Sequence, residues 1–239
     1  MTVEPNSLPR AMSLAVHELR TPVTVVAGYL RMLLREQAGP LSDKQKKMLE
    51  EADRSCGRLG ALVAEMSEFG KLEGGEVAFA RQDFDLGALI VELASELHDG
   101  EDRGVQLDAC VAKPVGMTEV AITEIRVTGD RARIAAAVKA LMQSAVRERV
   151  EPGRLSARCS VAGDRQRWAV LVIGDDSVVQ DLERAALDPP VSFDEWRGGL
   201  GLALPVARRV IEKHGGAVWS ATGAHSRATA ALRLPLTAA

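Results

Sequence analysis

The sequence predicts an α+β protein in two parts. A long antiparallel helical hairpin, completed to a four-helix bundle by a second copy, is followed by a two-layer α/β sandwich. Three observations predict it. Two stretches carry apolar residues in steps of three and four, Met12 to Leu33 and Met48 to Phe69. Each stretch ends in a glycine break, at Gly39-Pro40 and at Gly74-Gly75. After Phe84 single helices alternate with pairs of short strand-like runs, the pattern of helices laid on a sheet.

The first helix spans Leu8 to Gln37. Its seam is Met12, Ala15, Leu19, Val23, Val26, Leu30 and Leu33, with Pro22 inside it. Ser42 and Gln45 open the second helix as a capping box. Its seam is Met48, Ala52, Ser55, Leu59, Leu62, Met66 and Phe69. One hairpin has too little surface to bury both seams, so a homodimer is expected. Beyond a boundary near Gly74 to Arg81, the pattern gives helices at Leu86 to Leu97, Asp130 to Val150 and Gly199 to His214. Val105 to Val127 is strand-like and broken by Pro114 and Gly116. Leu155 to Val161 and Trp168 to Ile173 read as paired strands around Gly163-Asp164, and Ala217 to Ser220 and Ala228 to Leu236 as the last two. The expected division is 1–76 for the hairpin and 77–239 for the sandwich.

The chain has 239 residues, of which 46% are hydrophobic and only 3% aromatic. The core is therefore expected from Ala, Leu and Val, which suits helices. A net charge of −3 leaves no basic excess for nucleic acid. No apolar run is long enough for a membrane helix and no signal core opens the chain, so a cytoplasmic protein is expected. Cys56, Cys110 and Cys159 lack metal-ligand spacing and read as reduced thiols.

His17 carries the chemistry. It lies on the first helix but off the seam, so it faces solvent. A neutral imidazole is a good nucleophile towards phosphorus, and the adjacent Glu18 can orient the ring or take its proton. Thr21 sits one helical turn on, where it can hold a water beside a phosphorylated acceptor.

The string His17-Glu18-Leu19-Arg20-Thr21-Pro22 resembles the H-box of the sensor histidine kinases of two-component signalling. Arg58-Leu59, Phe69-Gly70-Lys71-Leu72-Glu73 and Phe84-Asp85-Leu86 resemble the family in the same order. So do Gly198-Gly199-Leu200-Gly201-Leu202-Ala203, Lys213-His214-Gly215-Gly216 and Leu234-Pro235. The resemblance implies a dimerisation and phosphotransfer hairpin followed by an ATP-binding sandwich like those of the gyrase- and Hsp90-like ATPases. It implies that His17 receives the γ-phosphoryl group of ATP and passes it to an aspartate of a response-regulator receiver domain. Glu18 is then the proton acceptor and Thr21 the residue used to dephosphorylate the regulator.

The same resemblance implies ATP and Mg²⁺ as cofactors. Ser144 occupies the position of the family's magnesium-binding asparagine, so it is the candidate metal ligand. Asp175 is the candidate adenine-reading aspartate, and Gly199 and Gly201 belong to the second glycine box. Serine is a weaker ligand for a hard cation than an amide oxygen. The first glycine box carries Ser177 and Val179 in place of its glycines. The lid between Asp175 and Gly198 is short, with Phe193 standing in for its phenylalanine, and the usual Gly-x-Gly-Thr is Ser226-Arg227-Ala228-Thr229. Two functions follow. One is a histidine kinase core that phosphorylates His17 from ATP. The alternative is an ATP-independent dimeric histidine phosphotransferase, or a pseudokinase, whose sandwich no longer binds nucleotide.

Overall fold

A computed structural model of the chain describes residues 7–98, 100–111, 124–163, 166–189, 193–197, 199–223 and 227–237. Pro114, Gly116, Asp164, Gly198 and Ser226 lie outside the described residues. The chain divides into two compact units, Met1–Val77 and Ala78–Ala239.

The first unit is the hairpin. Helix α1 runs Ser7–Leu34 and continues through Pro22. It stops a turn earlier than the apolar pattern suggests, because 35–38 form turns closed by Arg35 N–H to Arg31 O and Gln37 N–H to Met32 O. Helix α2 runs Asp43–Gly74. Its capping box is present: Gln45 N–H donates to Ser42 Oγ, and Ser42 N–H donates to Gln45 Oε1 at 2.9 Å. Gly75 ends it with φ 70°, a left-handed turn that glycine adopts without strain.

The seams divide in an instructive way. Val16, Cys56 and Val63 are buried within the hairpin. The helices approach closely there, with Cys56 Sγ 3.6 Å from the Val23 carbonyl oxygen. Gly60 lies opposite Val23, and Gly70 opposite Met12. Leu19, Val26, Met48, Leu59 and Leu62, all seam positions, are exposed on the single chain. Small residues therefore line the inside of the hairpin, and much of the large apolar seam faces outward.

The second unit is built on a five-stranded mixed sheet of order β2-β4-β5-β7-β6. Its strands are β2 (Val105–Val111), β4 (Gly153–Ala162), β5 (Trp168–Gly174), β6 (Ala217–Trp219) and β7 (Ala230–Pro235). β2 runs parallel to β4, and the other pairs are antiparallel. A separate ribbon pairs β1 (Arg81–Asp85) with β3 (Arg126–Asp130). The helices are α3 (Leu86–Ser95), α4 (Arg131–Glu148), α5 (Asp176–Arg184) and α6 (Ala203–Lys213). Asp85 caps α3 by accepting from Gly87 N–H at 2.9 Å, and Asp130 caps α4 by accepting from Arg133 N–H at 3.1 Å.

Every residue of β5 is buried, so both faces of the sheet are covered. On one face Trp168, Val170, Val172, Ala231 and Trp219 pack against Val179, Leu182 and Ala186. Helix α5 is therefore an addition on the second face of the sandwich, which the sequence pattern does not announce. It is pinned by Ser156 Oγ to Asp176 Oδ1 at 2.8 Å and by Trp219 Nε1 to Leu182 O at 3.3 Å. Arg233 stacks on Trp168 and donates to Ala186 O and Leu187 O just beyond the helix, where a cation complements the helix dipole.

Candidate functional site

The hairpin presents His17 on α1 with its side chain 81% exposed. Glu18 Oε1 lies 3.4 Å from His17 Nδ1, at the outer edge of hydrogen-bond reach. Nδ1 therefore faces the carboxylate, and Nε2 is the nitrogen left to act as a nucleophile. Thr21 is exposed one turn along the same helix. Pro22 has no N–H to offer the carbonyl of Glu18, four residues back, so the ladder is open beside the histidine. His17, Glu18 and Thr21 thus share one solvent-facing stretch of α1, as their spacing suggests.

The sandwich residues have different surroundings. Ser144 lies on α4 among buried Leu141, Met142 and Ala145. It is itself 0% exposed. Its Oγ has no hydrogen-bond partner. Among the described residues no cluster of three or more His, Cys, Asp and Glu could hold a metal ion.

Asp175 follows β5 and stands at the head of α5. Its carboxylate is engaged by the guanidinium of Arg149 through Nη1. Arg149 comes from the end of α4 and is largely enclosed, with 16% of its side chain exposed. Its Nε donates to Glu151 O at 3.0 Å. Arg103 holds the same helix end, donating to Val146 O and Arg149 O, each at 2.9 Å. Ser177 is exposed, and Val179, on α5, is wholly buried against the sheet.

Gly199 and Gly201 both take left-handed φ, 59° and 63°, in the turn that enters α6. The short segment before them is fastened down. Phe193, Glu195 and Arg197 are buried. Arg197 packs over the Phe193 ring and donates to Thr229 O. Burial draws the Arg197 guanidinium below its ordinary range, which nearby Glu148 and Asp194 partly offset. Glu195 pairs with Arg208 at 3.2 Å and Arg209 at 3.6 Å, both on α6. Arg149, Arg197 and Arg103 carry no motif. An unexplained arginine next to a helix end is the only sequence signal for them.

The comparisons with known proteins agree with this architecture. Residues 10–75 match the His Kinase A (phospho-acceptor) domain. The circadian input-output histidine kinase CikA of Synechococcus elongatus is 26% identical over 84% of this chain and 26% of its own length. The alginate biosynthesis sensor protein KinB of Pseudomonas aeruginosa is 27% identical over 85% of this chain and 33% of its own. The signal transduction kinase BarA of Escherichia coli is 24% identical over 84% of this chain and 22% of its own. The chain thus spans a third or less of each of these relatives. In fold it resembles full-length ShkA in complex with AMPPNP, with a TM-score of 0.67 over 97% of this chain and 46% of that one, at 19% identity. It also resembles the histidine kinase AdeS of Acinetobacter baumannii, with a TM-score of 0.56 over 93% of this chain and 98% of that one, at 20% identity. No helix among the described residues is long and apolar enough to cross a membrane. The hairpin thus matches the His Kinase A (phospho-acceptor) domain, and over most of its length the chain is similar to histidine kinases of two-component signalling.

Proposed function

We propose that the chain is a histidine phosphotransfer protein of two-component signalling. His17 carries the phosphoryl group and exchanges it with an aspartate on a response-regulator receiver domain. The observation that carries this reading is the exposed His17–Glu18 pair on a phosphoacceptor hairpin. Nε2 attacks phosphorus in line with the bond to the receiver carboxylate. A P–N bond forms, the P–O bond breaks, and its electron pair leaves on the carboxylate. The Nδ1 proton passes to Glu18, so the phosphorylated ring is neutral. The reverse step returns the group to a receiver.

The working unit in this reading is a homodimer. The exposed stripe of Leu19, Val26, Met48, Leu59 and Leu62 gives two hairpins the surface for a four-helix bundle.

Two donors suit the same histidine. The relatives are histidine kinases, and in a kinase reading the sandwich supplies the phosphoryl group from Mg²⁺-ATP. The alternative, a phosphorylated receiver as donor, is favoured by Ser144. Its hydroxyl is sealed from solvent, whereas Mg²⁺ needs several oxygen ligands and keeps part of its water shell.

The test is transfer from receiver domains charged with acetyl phosphate, followed on a phosphate-affinity gel. An acid-labile, alkali-stable label on the wild type and none on His17→Gln is expected. Label that persists in His17→Gln, or is absent from the wild type across the receiver panel, would sink the reading.

A further inference from the structure

We propose that the sandwich is a sealed counterpart of a nucleotide-binding domain, in which the Arg149 guanidinium takes the place of an adenine base on Asp175. The inference rests on the relationship of the sandwich to nucleotide-binding domains and is independent of the role of His17. An adenine-reading carboxylate accepts an N–H from the base. Here it accepts a charge-assisted N–H from a side chain of the same polypeptide, which is the stronger of the two bonds. An external base must displace a competitor that is always present, and the cost of opening it is subtracted from any affinity.

The arginine is built in. Arg103 fixes the end of α4 through Val146 O and Arg149 O, so the arm that carries Arg149 is anchored. The guanidinium then lies over Gly153, where an added methyl group would come within 2.8 Å of Nη2. Gly153 is thus the floor on which the arginine rests. A second arginine holds the backbone just ahead of the neighbouring strand β7. Arg197 donates to Thr229 O, and Thr229 lies beside the end of β5, 3.2 Å from a methyl placed on Gly174. Two guanidinium groups therefore cap the adjoining ends of β5 and β7.

The surrounding substitutions agree. Val179 stands where a glycine would let backbone approach a base, and instead roots α5 in the core with Leu182 and Trp219. The segment that would form a lid is tied to α6 through Glu195 and to β7 through Arg197. The residues present do not fit Mg²⁺-ATP. The phosphoryl donor is then the phosphoaspartate of a receiver.

The full-length wild type is titrated with Mg²⁺-ATP and, separately, with adenosine, by calorimetry and by thermal shift. No heat and no change in Tm at millimolar ligand is expected. Saturable binding of both, each displacing the other, would overturn the proposal. A double-mutant cycle of Arg149→Ala and Asp175→Asn reads the clasp itself. Each single change is expected to lower Tm by about 2–6 °C, and the double change by no more than the larger single loss. Losses that simply add would also overturn it. Gly153→Ala strains the backbone at φ 143° in either background and in the wild type also pushes on the guanidinium, so it is expected to lower Tm less, but still measurably, in the Arg149→Ala background. Receiver-to-His17 transfer is measured on the same samples, so failure of phosphotransfer and failure of the seal are read separately.

Discussion

His214 Nε2 accepts a hydrogen bond from the Asp130 backbone N–H at 3.0 Å, while its Nδ1 donates to Val210 O at 2.7 Å. The two bonds fix the neutral tautomer with the proton on Nδ1. The ring ties the end of α6 to the start of α4 and meets Phe79 edge-on at 4.7 Å between centroids. Burial lowers the imidazole below its ordinary range. The bond to Val210 and the charge of Asp130 work against that shift, and Arg81 and Arg133 work with it.

The sign follows. A depressed folded pKa means that the unfolded chain binds the proton more tightly. The stability that neutral His214 contributes is complete above the unfolded imidazole value of ~6.5 and is lost as pH falls from there towards the lower folded value. Urea midpoints are expected to drop as pH falls below about 6.5 in the wild type and to flatten over the same range in His214→Gln. Asp130 acts in a separate window. Burial pushes its carboxyl up, but bonds from the Arg133 N–H and guanidinium and from the Ala80 N–H outweigh that and hold it low. Its contribution is lost only in stronger acid.

Ser144→Ala is expected to stabilise the sandwich by about 1 kcal/mol, because it removes an enclosed hydroxyl that has no partner. Denaturant midpoints check this. A loss of stability would mean that the hydroxyl is bonded. Phosphotransfer at His17 should be unchanged.

Glu18→Gln is expected to slow receiver-to-His17 transfer by about 10²-fold, since it removes the proton acceptor 3.4 Å from Nδ1 and leaves the nucleophile in place. Rapid-quench kinetics check it. Thr21→Ala is expected to leave that rate alone and to lengthen the lifetime of the phosphorylated receiver.

Leu59→Asp places a charge in the middle of the exposed apolar stripe, with Leu62 one turn away on the same face. Light scattering at micromolar concentration is expected to find a dimer for the wild type and a monomer for the variant. A variant that remains dimeric would remove the bundle model.

The hairpin is legible because its signals are long and redundant. Seven seam positions in each helix, all apolar but Ser55, a capping box and two glycine breaks all point one way. Which seam positions face the sister helix is not legible, because Cys56, Gly60 and Gly70 look like gaps in a hydrophobic pattern and are in fact the close-approach surface. Helix α5 escapes notice for a different reason. Nine residues with Val178, Val179 and Leu182 as the apolar set are too few for a period. Ser144 falls in a helix buried on several sides, so its position in the motif foretells nothing about its exposure. The Arg149–Asp175 pair joins residues 26 apart across the two strands β4 and β5, and only the folded chain brings them together.

Helix α5 also decides how the protein can be watched. It covers Trp168 and Trp219, while Trp196 stands 67% exposed, and these are the only tryptophans in the chain. All three belong to the sandwich, and Tyr29 is the single tyrosine of the hairpin. Tryptophan fluorescence, excited at the red edge where tyrosine does not absorb, therefore reports the melting of one unit alone. Its blue-edge emission follows α5 lifting from the sheet, and its acrylamide-quenched fraction follows the segment around Trp196. Far-ultraviolet circular dichroism reads the helices of both units, so a loss of helix signal without a change in tryptophan emission marks the hairpin, and a single thermal scan with both detectors can separate the two unfolding events.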